Sequence, residues 1–212
     1  MIKGLKVLAV VPARGGSKGI VLKNLKKVNG SSLVTLVGEV ITDVVEIDTA
    51  VISTDHQKIA SVATDAGIRV PFFRPEALSG DRVSDLEVLT HALLETELVD
   101  KITYDIIVML QPTSPLRKAT HISETIQMLV NGKWDSVWTV SETDSKSHPL
   151  KQLVIDDKGL NYYDEIGSKV IARQELSPVY HRNGIAYAIT RECLMSQKSI
   201  KGKKTGALII PG

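Results

Sequence analysis

The sequence predicts an α/β protein with a Rossmann-like, doubly wound and mostly parallel sheet that carries a small β-rich insertion. Up to about residue 140, short apolar runs alternate with amphipathic stretches. This alternation is typical of strand–helix–strand units, whose helices cover both faces of a parallel sheet. Beyond residue 140 the sequence becomes polar and rich in turn residues, which indicates a local departure from that unit.

Each predicted strand is a short apolar run bounded by turn or charged residues. The first run, LKVLAVV, has the continuous apolar character of a strand that is buried on both faces. In chain order the predicted strands are 5–11, 49–54, 68–73, 105–110, 135–140, 184–190 and 206–210.

Each predicted helix repeats apolar residues at intervals of three and four positions, which places them on one face. Gly67 follows the second helix as a stop signal. Ser84 and Glu87 have the spacing of a capping box at the start of the third helix. In chain order the predicted helices are 32–44, 56–66, 84–98 and 121–130.

Composition limits the classes of function that remain. The 212 residues are predicted to form one domain, 1–212, with the insertion at approximately 141–181. The formal net charge of +2 argues against a nucleic-acid partner, and the lack of a long apolar run argues against a membrane partner. Cys193 is the single cysteine, so no intrachain disulfide is possible. With no signal segment, we expect a cytoplasmic protein.

The carboxyl ends of parallel strands meet at one edge of the sheet, where ligands bind. We therefore expect the loops at 12–24, 54–56, 74–85 and 111–117 to lie close together there. Asp55, at the end of the second strand, is expected to help orient the first of these loops.

That first loop, within VPARGGSKGIVLKN, combines bare backbone with positive charge. Gly15, Gly16 and Gly19 are expected to adopt left-handed or tightly turned conformations, so that successive amides converge on an anion.

Polar side chains in the same loop complete an anion site. Arg14, Lys18 and Lys23 supply charge and Ser17 supplies a hydroxyl, a combination that suits a nucleotide triphosphate. The loop has neither the Walker A spacing nor the G-x-G-x-x-G pattern, so a P-loop ATPase and a dinucleotide enzyme are both disfavoured.

Five segments carry a resemblance to a known family: VPARGGSKGIVLKN (11–24), VISTD (51–55), RPEALSGD (74–81), LQPTSPLR (110–117) and RNGIAY (182–187). In this order they resemble the acylneuraminate cytidylyltransferases, or CMP-sialic acid synthetases. The resemblance covers roughly residues 5–210 and implies a fold of the nucleotidyltransferase type.

The resemblance implies transfer of CMP from CTP to the anomeric hydroxyl of a nonulosonic acid, a nine-carbon 2-keto sugar acid, with release of pyrophosphate. Two alternatives stay open. One is a catalytically weak nucleotide-binding homologue. The other is a 3-deoxy-octulosonate cytidylyltransferase, which usually has Arg-Leu-Pro where this chain has Lys18-Gly19-Ile20.

The resemblance also assigns site residues. Arg14 and Lys23 correspond to catalytic cations on the α- and β-phosphates. The implied nucleotide contacts are Ala13, Gly15, Gly16, Ser17, Asn24, Arg74, Asp81 and Asp85. The implied contacts to the sugar acid are Gln111, Ser114, Lys151, Arg173, Arg182, Asn183 and Tyr187.

Three assignments in these segments have rival interpretations. Ser84 is more readily a helix cap than a cytidine contact. Arg117 is either a partner for a carboxylate or a surface arginine at a helix start. Tyr187 either offers a hydroxyl to the sugar or fills the core.

The segment at 148–151 resembles one that reaches into a neighbouring subunit. This implies a homodimer in which Lys151 and Arg173 complete the partner's anion pocket, although His148 itself is favoured as a structural residue. His181 stands where many family members have arginine, and the adjacent Arg182 is expected to replace it.

Magnesium is the cofactor that the resemblance implies, since Mg²⁺ bridges phosphates through hard oxygen ligands. The family holds it with the carboxylates of a Ser-x-Asp-Ile-Asp segment, which does not follow ALIIPG here. A chain complete at that point is expected to turn over weakly, and its metal ligands stay unassigned.

Overall fold

The computed structural model describes residues 2–211, which form two compact units. The larger unit holds the chain up to Thr139 together with Gly184–Leu208, and the smaller unit holds Val140–Asn183 with the residues from Ile209 onward. The α-helices are α1 (Leu33–Ile41), α2 (Gln57–Asp65), α3 (Asp85–Asp100), α4 (Ala119–Gly132) and α5 (Arg191–Met195). The strands are β1 (Val7–Pro12), β2 (Lys27–Val28), β3 (Ser31–Ser32), β4 (Thr49–Ser53), β5 (Ile106–Met109), β6 (Ser136–Glu142), β7 (Leu153–Asp156), β8 (Gly159–Tyr162), β9 (Tyr180–Thr190) and β10 (Thr205–Ile209).

A six-stranded sheet with the order β10-β6-β9-β5-β1-β4 forms the centre of the fold. β1 pairs in parallel with β4 and with β5, and Ala9 lies opposite Ala50 on one side and Val108 on the other. β9 runs antiparallel to β5. The predicted mostly parallel α/β fold is confirmed, and β9 is the antiparallel exception within it.

Both faces of this sheet are covered by helices, because the side chains of β1 alternate between two apolar clusters. Val7, Ala9 and Val11 pack in a cluster with residues of α1, α2 and α4. Leu8 and Val10 pack in the other cluster with residues of α3 and α5. A strand that is apolar at every position is therefore what a doubly wound sheet requires at its centre.

The boundaries of several elements differ from the prediction. The predicted strand at 68–73 is wrong: Arg69 forms only an isolated bridge with Val51. Pro71 lies inside that run and has no amide proton, so it cannot continue a ladder of hydrogen bonds. The helix predicted at 32–44 is shorter and ends at Ile41. At its start Ser32 is the N-cap and accepts a hydrogen bond from the Thr35 amide.

The capping box at the start of α3 is confirmed. Ser84 Oγ accepts from the Glu87 amide, and the Glu87 carboxylate accepts from the Ser84 amide at 2.8 Å. These bonds satisfy two amides that would otherwise lack a partner at the helix start. Ser84 therefore has the capping role that the sequence favours for it.

In the smaller unit, β7 and β8 form an antiparallel hairpin that turns at Gly159, where φ is +106°. One face of this hairpin is entirely apolar and exposed: Leu153, Ile155, Leu160 and Tyr162. The assignment of 1–212 as one domain with an insertion at 141–181 stays a prediction.

Gly38 provides a test of how closely α1 and α2 pack. A Cβ at this position would lie 2.3 Å from the Ala66 carbonyl oxygen and 2.8 Å from its Cβ. Gly38→Ala should therefore lower the free energy of unfolding by about 1–3 kcal/mol, as overpacking does, although alanine favours helix. Urea denaturation measures the change.

The neighbouring Glu39, which is exposed on the same helix, serves as the control. Glu39→Ala should change stability by less than about 0.5 kcal/mol. If Gly38→Ala stabilised the protein as an ordinary helical substitution does, the close approach of α1 and α2 would be refuted.

Candidate functional site

A pocket of about 630 Å³ opens at the carboxyl end of β1 in the larger unit. Its walls come from the loop after β1, the segment leading into α3 and the loop after β5, which the sequence predicts to meet there. The lining residues are Pro12, Arg14, Ser17, Lys18, Gly19, Ile20, Lys23, Asn24, Arg74, Gly80, Asp81, Val83, Asp85, Val88, Gln111, Pro112 and Thr113.

The turn after β1 is fixed by the end of β4. The Gly15 amide donates a 2.7 Å hydrogen bond to Asp55 Oδ1, so Asp55 orients the loop as expected. A Cβ on Gly15 would lie 2.8 Å from the His56 ring. Gly15 is therefore required by close packing, whereas the expected left-handed conformation occurs at Leu22, where φ is 48°, and not at the loop glycines.

Two of the loop cations share one carboxylate. Arg14 Nη2 lies 2.7 Å from Asp81 Oδ1, and Lys18 Nζ forms a salt bridge with the other oxygen. Arg14 Nη1 also donates to the Ser79 carbonyl at 3.4 Å. The hydrogen bond from Lys18, followed by that from Arg14, holds the pKa of Asp81 below its usual value. Asp81 thus contacts the loop cations.

Lys23 and Asn24 follow the left-handed Leu22 and begin a short 3₁₀ turn, Lys23–Leu25. Lys23 lines the pocket as a third cation. Asn24 is almost fully buried, and its Nδ2 donates to the Arg14 carbonyl at 3.1 Å. Asn24 therefore fixes the backbone that carries Arg14.

Arg74 is a buried cation, with 6% of its surface exposed. Its Nε donates to Ser53 Oγ at 3.0 Å, and its Nη2 donates to the Ser53 carbonyl. Burial lowers the pKa of Arg74 to about 10, so the side chain still carries its charge at neutral pH. The pocket therefore has a fixed positive charge at the end of β4.

Arg117 is not the surface arginine that was one of its two possible roles, and its role as a partner for a carboxylate stays a prediction. It is 5% exposed and donates to three backbone carbonyls: Gln111 at 2.6 Å, Ile185 at 2.5 Å and Gly184 at 3.0 Å. Burial lowers its pKa to about 10 as well. The carbonyls that it binds come from positions that sequence spacing alone could not bring together.

Tyr187 lies in the core, the second of its two possible roles. Its side chain is 2% exposed, and its hydroxyl accepts a 2.8 Å hydrogen bond from the Gly184 amide. Ser114 lies beside Gly184 and does not line the pocket.

Other candidate residues lie outside the pocket lining in the larger unit. Ala13 is fully buried, and Gly15 and Gly16 do not line the pocket. Sequence reasoning missed the apolar lining from Val83 and Val88, because the same residues fit the apolar pattern of a helix start.

The remaining candidates belong to the smaller unit: Lys151, Arg173, Arg182 and Asn183. Arg173 lines a pocket of about 350 Å³ within that unit. His148 is buried, accepts from the Leu150 amide at 3.2 Å and is hydrogen-bonded with the Ser177 carbonyl, which fits the structural role favoured for it.

The carboxylates of the pocket do not form a metal cage. Asp81 is bonded to two cations and Asp85 is a further lining carboxylate, whereas Asp55 accepts from the Gly15 amide and does not line the pocket. Within residues 2–211, no group of three or more His, Cys, Asp or Glu side chains could hold a metal ion. The donor set present therefore does not fit a metal centre built by protein ligands alone.

Comparison with known proteins identifies the family. The sequence profile described as Cytidylyltransferase matches residues 8–210. The chain belongs to the cytidylyltransferase family. The resemblance to its acylneuraminate members, which the five sequence segments carry, is thereby confirmed.

Two cytidylyltransferase relatives cover nearly the whole chain. A CMP-N,N'-diacetyllegionaminic acid synthase of Legionella pneumophila is 31% identical over 97% of this chain and 87% of its own length. An N-acylneuraminate cytidylyltransferase of Streptococcus agalactiae is 30% identical over 96% of this chain and 48% of its own length. The chain thus spans about half the length of the streptococcal relative.

A solved structure supports the fold. CMP:2-keto-3-deoxy-manno-octonic acid synthetase complexed with CTP has a TM-score of 0.68 at 17% identity, over 98% of this chain and 90% of that one. In the described part of the chain, no helix has the length and apolar character needed to cross a bilayer.

The bonds to Asp81 make its titration a test of the site. Because Lys18 and Arg14 stabilise the carboxylate, its pKa in the folded protein should lie below the ordinary value of 3.8. Carboxyl-carbon NMR across pH 2–6 should show this directly. The stabilisation is present above the unfolded pKa and is lost as pH falls through the folded one.

Lys18→Met should move the pKa of Asp81 back towards the ordinary value, because the larger of the two bonds is removed. Lys27→Met, which changes an exposed lysine outside the pocket lining, should leave it unchanged. An Asp81 that titrates normally in the unaltered protein would contradict the shared pairing.

Proposed function

We propose that the chain transfers CMP from CTP to the anomeric hydroxyl of a nonulosonic acid and releases pyrophosphate. The observation that carries the proposal is the convergence of Arg14, Lys18 and Lys23 on one pocket at the carboxyl end of β1, in a chain of this family. In such a transfer the sugar hydroxyl attacks the α-phosphate, and charge develops on the departing pyrophosphate. Catalysis then depends mainly on positioning and on electrostatic stabilisation.

The triphosphate end of the site is assigned to the loop cations. Arg14 has a planar guanidinium that can bind two phosphate oxygens at once, whereas Lys23 acts as a compact charge. Ser17 adds a hydroxyl from the same loop. Since Asp81 pairs with Arg14 and Lys18 in the free protein, the triphosphate takes over bonds that this carboxylate makes.

The cytidine is assigned to the wall formed by the segment that leads into α3. Arg74 and Asp85 line this wall. The Arg74 guanidinium is a fixed donor that suits the O2 and N3 acceptors of cytosine, and the Asp85 carboxylate is an acceptor that suits its N4 amino group. Val83 and Val88 add apolar surface. The backbone that surrounds the phosphates is assigned to four further residues: Ala13, Gly15, Gly16 and Asn24.

The sugar acid is assigned to the loop after β5, where Gln111 lines the pocket and Ser114 lies next to Gly184. Asn183 and Arg182 are assigned to the same substrate on the strength of the resemblance. The two relatives described above are named for acylneuraminate and for diacetyllegionaminic acid, which favours a nine-carbon acceptor.

Mg²⁺ is proposed to enter with the nucleotide. It commonly keeps several waters and is bound through one or two carboxylates together with substrate phosphates, so a protein cage is not needed. The reaction is proposed to take place in the cytoplasm, where nucleoside triphosphates are available.

A homodimer is proposed from the hairpin of the smaller unit. Leu153 pairs with Tyr162 and Ile155 pairs with Leu160, so all four apolar side chains share one face, and all four are exposed. An exposed apolar face of this kind marks an interaction surface. In the dimer, Lys151 and Arg173 are proposed to serve the neighbouring copy.

The activity is tested by pyrophosphate release from CTP and Mg²⁺ with a panel of acceptors that includes N-acetylneuraminic and diacetyllegionaminic acids. Arg14→Ala and Lys23→Ala should each lower kcat/KM by about a hundredfold or more, because each removes charge from the transition state. A chelator should abolish release by the unaltered protein.

Lys27→Ala removes an exposed lysine outside the pocket and should leave kcat/KM unchanged. All three variants should melt close to the unaltered protein, since the side chains lie outside the core. Absence of release with every acceptor would overturn the proposed transfer.

The dimer is tested by sedimentation equilibrium. The double variant Ile155→Glu with Leu160→Glu places charge on the apolar face and should convert a dimer into a monomer. Asn161→Glu is the matched control, since Asn161 pairs with Val154 on the opposite face, and it should stay dimeric. A monomeric unaltered protein would refute the proposal.

A further inference from the structure

We propose that Gly184, Arg117 and Tyr187 are positioning residues that hold the side chain of Gln111 in place for the acceptor sugar. The inference rests on the proposed function and deepens it. None of the three residues lines the pocket. They act on Gln111, which does.

The first step is the space that Gly184 leaves open. A Cβ at this position would lie 2.6 Å from Gln111 Oε1 and 2.9 Å from Ser114 Oγ. The side chains of Gln111 and Ser114 therefore occupy the volume that any other residue would fill. The φ of +73° at Gly184 also belongs to the left-handed region that favours glycine.

The second step is the fixed position of the Gly184 backbone. Its amide donates to the Tyr187 hydroxyl at 2.8 Å, and its carbonyl accepts from Arg117 Nη2 at 3.0 Å. Tyr187 is itself held in the core, where its ring packs 5.2 Å from that of Trp138. Both polar groups of Gly184 are thus bonded to buried side chains, so the turn cannot retreat from Gln111 without breaking them.

The third step is the bond from Arg117 to the Gln111 backbone. The same nitrogen, Nη2, donates to the Gln111 carbonyl at 2.6 Å and to the Gly184 carbonyl at 3.0 Å, while Nε donates to Ile185. One guanidinium therefore joins the loop after β5 to β9. Lysine could not reproduce this arrangement, because its ammonium lacks the planar fork of donors.

These contacts predict which kinetic constant depends on them. Gln111 lies on the loop after β5, whereas the phosphate cations lie on the loop after β1. Displacing Gln111 should raise the KM for the acceptor sugar and leave the KM for CTP nearly unchanged. A general loss of structure would instead affect both substrates.

The experiment compares Gly184→Ala with Gly67→Ala. Both glycines have similar positive φ, +73° and +77°, but a Cβ at Gly67 meets nothing within 4 Å. Backbone strain should lower the melting temperature of both variants by a similar amount. Only Gly184→Ala should raise the KM for the acceptor, by about tenfold or more, with the KM for CTP within about twofold of the unaltered protein.

A second pair covers the case in which Gly184→Ala does not fold. Tyr187→Phe removes the acceptor of the Gly184 amide and keeps the ring, and it should raise the acceptor KM in the same selective way. Tyr104→Phe is its control, because Tyr104 is equally buried and its hydroxyl bonds with Thr49 and Asp100. It should leave both KM values unchanged.

The outcomes separate the two proposals. If the unaltered protein is inactive with every acceptor, the proposed function fails and this inference fails with it. If the unaltered protein is active but each variant matches its control in acceptor KM, the positioning role alone is overturned. A parallel rise in both KM values also overturns it.

Discussion

The candidate site depends first on the parallel pairing of β1 with its two neighbours. Ala9 lies opposite Ala50 in β4 and Val108 in β5, so the carboxyl ends of the three strands reach the same edge. Loops that are far apart in sequence thereby become walls of one pocket. A slip of one residue would exchange the two faces of β1 and bury Leu8 in the wrong cluster, which fixes the register strongly.

The ends of these strands are held by buried guanidinium groups that bind backbone oxygens. Arg74 donates to Ser53 at the end of β4, and Arg117 donates to Gln111 and Gly184. Both arginines stay protonated at neutral pH because their pKa is about 10, so each carries a positive charge where it binds the backbone.

The sheet and its helices could be predicted from the sequence. A strand buried on both faces is recognised by an uninterrupted apolar run, and the start of α3 is recognised by the capping-box spacing of Ser84 and Glu87. The loop cations were also found, since charge next to glycine after such a strand is visible in sequence. The requirement for glycine at position 15 could not be predicted, because only the structure shows that His56 occupies the space that a side chain would fill. The burial of Arg117 could not be predicted, because its acceptors on β9 are distant in sequence.

Asp81 neutralises part of the positive charge of Arg14 and Lys18 in the free protein. Without it, Arg14 and Lys18 would repel each other on one short loop. Because Asp81 is exposed, returning it to water when a ligand displaces it costs little. A triphosphate brings several negative charges in place of one, so the exchange favours binding. Any nucleoside triphosphate could make this exchange, so the proposed selectivity for cytidine is assigned to the other wall of the pocket, where Arg74 and Asp85 lie.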